Sequence, residues 1–492
     1  MNLLTDKFLM KIPAMLLMTF MFSITSFGAE LAHTKIEPHP YLSPVNSIHL
    51  NHFNTATTDM DAPTHLKRIK KTRINYGWSE MFNRWGINLC LNFLSDHEGN
   101  LYGFCGSPNM AFIKGLEFHL AVFDPKTMEK KAKYTFFEIS LQNIIKNKLP
   151  MNLGYFMMDS QGRVIVTTAE GEILFLKKNK DENKIELVDK KVLPEDVRAK
   201  GLLSQVMPDY LGNYWFFMPG ERDKNHAQVG YLNSKTEEIS MLELEGELIE
   251  NGLSIESSGV YVVSDKSLYK LKHTDHGIEI IFQESYETAS SIKPGTISFS
   301  GSGTTPTLHE DDLLTMVDNA DDQVNLLVFN RKNEGRVNGR LICKVPLFEK
   351  GKSSVENTVV AHHNSIVVQN WHKAPAFMGS LREMEPGIWR IDVREDRSGC
   401  DIIWKNNTSF GTSTLKLSTQ TGLLYLATQN RKKLVREKSY IEFIDFQTGE
   451  VVKKQYVGRG LATRFMMSPI YIVPGGKIIQ PIYSGIVTLE NK

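Results

Sequence analysis

Eight short runs of β-branched and aromatic residues recur along this chain at a spacing of about 50 residues. They begin at Leu101 (LYGFC), Val164 (VIVTT), Tyr214 (YWFFM), Val260 (VYVVS), Leu313 (LLTMV), Ile366 (IVVQN), Leu423 (LLYLAT) and Lys477 (KIIQPIY). Each follows a turn signal, such as Glu98-Gly99-Asn100, Gln161-Gly162-Arg163 or Leu211-Gly212-Asn213. Gly and Asn accept the left-handed backbone that tight hairpins need, so each signal marks a strand reversal. A third strand follows most runs (HLAVFD, GEILFLK, NLLVFN, GIWRID), and a fourth comes after it (KYTFF, IELVD, LICKV, CDIIW). Four strands in a unit of this length describe a propeller blade. Runs that are apolar at every position, rather than at alternate ones, fit strands covered on both faces by neighbouring blades.

The expected fold class is therefore all-β: a single eight-bladed β-propeller, with seven blades and one irregular insertion as the alternative. The last unit, ending in GIVTLENK, has only three strands. Residues 67–76 (KRIKKTRINY) can supply its outer strand, closing the ring by pairing the two ends of the chain and removing exposed sheet edges. Residues 141–148 (LQNIIKNK) have room for one or two helical turns between blades.

The N-terminus reads as a secretory signal. Lys7 and Lys11 precede a short apolar run (AMLLMTFM, 14–21), and Ser26-Phe27-Gly28 offers small residues for cleavage. The division is residues 1–28 signal peptide, 29–66 extended arm and 67–492 propeller. No later stretch reaches the ~18 apolar residues of a spanning helix, so no transmembrane segment is expected after cleavage, and the address is periplasmic or secreted. Charge is balanced, with 57 Lys+Arg against 56 Asp+Glu, which removes a global electrostatic case for nucleic acid.

The arm lacks strand or helix periodicity and carries His33, His39, His49 and His52. The group His49-Leu50-Asn51-His52 has metal-ligating potential, but no spacing identifies a third ligand, so a solvated arm lying over the propeller is the plainer expectation. Four cysteines suit an oxidising compartment. Cys90 and Cys105 flank a turn, and Cys343 and Cys400 sit in strands near the ends of successive repeats. Cys343–Cys400 and Cys90–Cys105 are the expected pairs, although four cysteines leave three connectivities open.

The most polar and least repeat-like stretch is 301–308 (GSGTTPTL), running on to 317–322 (VDNADD). Together with CKVPLF (343–348), ENT (356–358), VVQN (367–370), PGI (386–388), SGC (398–400), LKLS (415–418) and the arm segments HPYL (39–42) and NSIH (46–49), it resembles the quinoprotein alcohol dehydrogenase-like eight-bladed propellers with their PQQ-like repeats, and more narrowly a group of secreted bacterial proteins of unassigned function. The resemblance covers the arm and the second half of the chain. It implies a propeller, a signal peptide and the Cys343–Cys400 bridge. It does not imply quinone catalysis: the six tryptophans do not recur at one blade position, and no two cysteines are adjacent, which argues against pyrroloquinoline quinone.

Propeller ligands bind where inner-strand ends converge on the central channel. The polar breaks there are Thr304, Thr305, Asp318, Asn319 and Asp321 in blade five, Asn357 and Asn370 in blade six, and Lys416 in blade seven. Carboxylate and amide oxygens suit Ca²⁺, with Asp318, Asn319 and Asp321 as ligands. Lys416 suits an anionic ligand group or a buried pair with Asp318. The competing reading makes Asp318-Asn319 a turn, because Asp and Asn bond their own backbone. His309-Glu310 and His362-His363 fall at tight turns and are expected to be exposed. No G-x-S-x-G, HExxH, P-loop or CxxC is present.

Two function classes follow. One is an extracytoplasmic propeller binding a small polar ligand, or another envelope or extracellular protein, at its channel mouth. The other is a cofactor- or metal-dependent enzyme, either a quinoprotein-like oxidoreductase or a Ca²⁺-dependent lactonase-like hydrolase. No catalytic residue can be named from the sequence.

Overall fold

The computed structural model describes residues 27–45, 48–75, 89–109, 115–139, 155–221, 226–296, 301–332, 340–374, 381–430, 436–465 and 468–492. Most of the expected leader (1–28), the helical turns expected at 141–148, and Trp78 and Trp85 lie outside them.

Eight sheets of four main strands form an eight-bladed propeller. Seven blades are built from four consecutive strands each, running antiparallel from the axis outward. The eighth has Tyr471–Val473, Lys477–Ile482 and Gly485–Asn491, and its outer strand is Ile69–Asn75 from the other end of the chain. These two ends pair antiparallel from Ile69 opposite Asn491 to Asn75 opposite Gly485, which is the closure the sequence predicts.

The core is distributed around the ring. Between blades three and four, Trp215, Phe217, Val229 and Tyr231 meet Ile255, Val260 and Val262. Between blades eight and one, Tyr471, Val473, Ile479 and Ile486 meet Phe93, Leu101, Ala121 and Phe123, so apolar burial as well as pairing closes the circle. Second and third strands are predominantly apolar because both their faces are covered: every residue of Tyr214–Met218 and Ala227–Leu232 is buried, whereas the outer strand Ile239–Leu244 is mostly half-exposed.

Turn chemistry sets the registers. Between first and second strands, Asp96, Asp159 and Asp209 play one part in three blades: Oδ1 accepts the backbone N–H groups two and four residues on, and a left-handed Gly99, Gly162 or Gly212 donates to the aspartate carbonyl. Between third and fourth strands, Asp124, Asn233 and Asp445 accept the N–H groups two and three residues on, just before left-handed Met128, Glu237 and Gly449.

Both expected disulfides form. Cys90 lies directly opposite Cys105 in blade one. Cys343–Cys400 joins the outer strands of blades five and six, Leu341–Pro346 and Cys400–Asn406. Among the described residues, no helix is long and apolar enough to cross a membrane.

The arm departs from expectation. Residues 48–57 are buried rather than solvated. They run along the inner edges of successive blades: His52 O accepts Ile255 N–H (blade four), Phe53 O accepts Leu308 N–H (blade five), Thr55 O accepts Ala361 N–H (blade six) and Ala56 O accepts Leu417 N–H (blade seven). Thr57–Thr58 then adds a parallel strand beside Lys416–Ser418. The reason is the unpaired backbone of innermost strands, which a polar arm satisfies on the axis better than it would over the surface. Stepping between blades requires left-handed backbone at Leu50 (φ 78°), Asn54 (φ 58°) and Ala56 (φ 54°).

Candidate functional site

The polar residues of blades five to seven separate into three places. Thr304, Thr305, Asp318, Asn319 and Asn357 meet where blades five and six adjoin, and Thr304 bridges Asn357 in parallel. Thr304 Oγ1 accepts Val317 N–H and lies 3.0 Å from Ser302 Oγ. Asp318 is fully buried; its Oδ1 accepts Ala320 and Asn325 N–H and its Oδ2 accepts Asn325 Nδ2 at 2.7 Å. Burial raises its pKa above the usual carboxylate value. Asn319 is left-handed (φ 53°); its amide donates to Val355 O and accepts Val355 N–H, tying blade five to the entry of blade six. These are the bonds of a turn and a brace. Asn357 is also left-handed (φ 74°), its carbonyl accepts Thr305 N–H, and its buried Nδ2 has no hydrogen-bond partner. Asn370 accepts His372 N–H and donates to the Lys352 and Pro386 carbonyls. Asp321 stands apart at the surface, accepting Ser290 N–H and Oγ–H.

Lys416 lies in the channel against the arm. It is fully buried and Nζ donates to Ile48 O at 2.7 Å. A pair with Asp318 is not formed. Burial brings the Lys416 pKa down to about 7. His49 shares this interior, with Nε2 3.5 Å from Thr305 Oγ1, and its pKa is lowered by burial and then by Lys416. His309 and His362, expected to be exposed, are buried at 1% and 6% accessibility, because the arm covers the turns that hold them.

A cavity of about 860 Å³ lies elsewhere, between the arm and the turns joining first to second strands. Arm residues Thr34, 36–39, 42–45 and 57–60 form much of its wall; Asn51 and His52 also line it, and Ser95–Gly99 of blade one and Pro474 of blade eight complete it. It is therefore one mouth of the channel, narrowed by the protein's own arm. Its walls carry four carboxylates (Glu37, Asp59, Asp96, Glu98) and three imidazoles (His39, His52, His97), with no Lys or Arg among the described lining residues. Asp59 is held by Thr34 and Thr419, and Glu37 accepts Ser257 Oγ–H. His52 Nε2 sits 3.0 Å from Tyr210 Oη, and the His39 ring lies 4.3 Å from the Tyr210 ring. Burial lowers the His39 pKa to about 4 and that of His52 to about 3, so both rings are neutral near pH 7. The cavity thus offers the carboxylates of Glu37 and Asp59, the neutral rings of His39 and His52, and hydroxyls from Ser43 and Ser95; Asp96 is occupied in its turn, and Glu98 pairs with Lys180 at 2.7 Å. The signal for it in the sequence is the arm itself, a stretch rich in His, Thr and Asn with no periodicity.

No family model matches the chain. An uncharacterized protein of Archaeoglobus fulgidus is 23% identical over 274 residues, which is 50% of this chain and 52% of that protein, so the chain spans about half the length of this relative. Among solved structures, a europium-containing methanol dehydrogenase superposes with a TM-score of 0.51 at 11% identity, covering 91% of each chain. Sqt1 of Saccharomyces cerevisiae superposes at 0.50 with 10% identity, covering 83% of this chain and 97% of its own. At these identities the likeness is one of fold: the chain is similar to a methanol dehydrogenase in architecture and is an eight-bladed propeller.

Proposed function

We propose that this protein is an extracytoplasmic binding propeller that holds a small cationic or hydroxyl-rich ligand in the arm-roofed cavity. The observation that carries this reading is the lining: four carboxylates, of which only Glu98 has a lysine partner (Lys180), and the neutral rings of His39 and His52 around about 860 Å³, with no lysine or arginine among the described lining residues. Such walls attract positive charge and accept hydroxyl hydrogen bonds, and they repel anions. Two disulfides and the signal-like N-terminus support the periplasmic or secreted address. Pyrroloquinoline quinone matches these walls poorly, because its carboxylates would face Glu37 and Asp59 with no lysine or arginine among the described lining residues to hold them. The fold-level likeness to a methanol dehydrogenase therefore adds no oxidoreductase chemistry to the proposal. The proposal does not use calcium at Asp318, Asn319 and Asp321: backbone N–H groups bond Asp318 Oδ1 and Asn319 Oδ1, and Asp321 stands at the surface.

The test is calorimetric titration of the mature protein with polyamines, quaternary amines, neutral sugars and dicarboxylates. A cation or sugar should bind, and Glu37→Gln should weaken a bound cation about tenfold, or about 1.4 kcal/mol. Binding of the dicarboxylates alone would refute the reading, and silence across the panel would favour a protein partner at this face.

A further inference from the structure

On the same face, the first-to-second-strand turns of blades five and six bring Glu310, His362 and His363 together. One ligand-capable atom of each lies within 4.8 Å of the others. Consecutive residues of a strand point to opposite sides, so neighbouring histidines ordinarily cannot serve one site. Here His362 ends the strand Val360–His362, and His363 turns left-handed at φ 49°. The two rings come to the same side, 4.5 Å apart. Glu310 Oε2 stands 3.3 Å from His363 Nδ1. That is about the separation of two ligands on one tetrahedral ion with bonds near 2.0–2.1 Å. The turns are fixed by two further bonds: the His309 ring nitrogen Nδ1 lies 2.8 Å from His363 O, and Lys35 N–H of the arm donates to Glu310 Oε2.

The cluster also has unspent capacity. His362 is 94% buried, given its 6% accessibility, and its Nδ1 has no hydrogen-bond partner. A buried polar atom without a partner is costly, and a bound ion is one way that cost is removed. We propose that Glu310, His362 and His363 form a binding site for a divalent transition-metal ion of the zinc class. Two imidazoles and one carboxylate suit zinc, cobalt, nickel or copper; calcium and magnesium prefer all-oxygen shells. His363 is partly exposed, and the Asp311 carboxylate lies 4.0 Å from its Nδ1, so a water or Asp311 can complete the shell. Through Lys35 and Glu310 the ion would tie the arm to two blades.

The experiment uses the whole mature protein, stripped with chelator and titrated with Co²⁺ alone, reading the visible d–d bands and then their loss on adding Zn²⁺. One equivalent of Co²⁺ should bind in a low-coordinate environment. His362→Ala and Glu310→Gln should each weaken binding at least tenfold. His363→Asn, which tolerates the left-handed backbone, should do the same if the alanine variant fails to fold. Zinc should raise the melting temperature of the wild type and leave that of folded variants unchanged. Absence of Co²⁺ binding by the wild type up to millimolar concentration, or equal binding by the folded variants, would overturn the proposal.

Discussion

Lys416 Nζ donates to Ile48 O at 2.7 Å, joining residues 368 positions apart and anchoring the arm in the channel. The donor is fully buried, and burial has lowered its pKa to about 7. An unfolded lysine titrates near 10.4, so between pH 7 and that value the unfolded chain binds more protons than the native one. The contribution of Lys416 to stability therefore rises with pH across that window and is flat below it. Lys416→Met leaves the Ile48 carbonyl without its donor and should cost about 1–3 kcal/mol near pH 9. The cost should shrink at pH 6, where the wild type must bury an ammonium. Urea melts of both proteins at the two pH values check this, and a pH-independent difference would count against it.

Phe53 is the apolar anchor of the arm, buried at 3% accessibility among Tyr261, Leu308, Leu314 and Met316 at the junction of blades four and five. The Arg331 guanidinium stands 5.2 Å from its ring centroid. Phe53→Ala should destabilise by about 3–5 kcal/mol. If the arm is held as described, limited proteolysis of the variant should cut within residues 48–58 before it cuts the blades. Simultaneous loss of arm and blades would mean that the arm is not a separate cooperative unit.

Asp318 collects three donors in the turn before Asn325. Asp318→Ala should cost about 1–3 kcal/mol, because buried N–H groups lose their acceptor. Melting in the presence and absence of calcium distinguishes a turn from a metal ligand. An unchanged melting temperature without calcium, combined with a lost calcium response, would restore the metal reading.

Much of the ring was legible from Leu101, Val164, Tyr214 and their counterparts, because each second strand is buried on both faces and so stays apolar in every blade. The glycines at 99, 162 and 212 mark the turns in the same local way; the structure adds the aspartates at 96, 159 and 209, whose side chains bond backbone two and four residues on. Closure was legible as well, since the last unit is short by one strand and residues 67–76 have strand character.

The sites were less legible. Thr304, Asn319 and Asn370 stand out in the sequence as polar breaks, yet a polar break alone does not reveal whether its partner is a ligand or a neighbouring backbone group. For Asn319 the partner is Val355, in the next blade. His362 and His363 look like an exposed turn in sequence, because nothing local shows that the arm passes over them.

Local and repeating physics is written in the sequence: strand runs, turn residues, cysteine-bearing strands and the missing eighth outer strand each follow from a few consecutive residues. Only the tertiary structure decided the course of residues 48–58 along the axis, the meeting of Glu310 with His362 and His363, and the walls of the acidic cavity. Those depend on contacts between residues tens to hundreds of positions apart. The arm's destination is set by unpaired inner-strand backbone, a demand that exists only once the ring has closed.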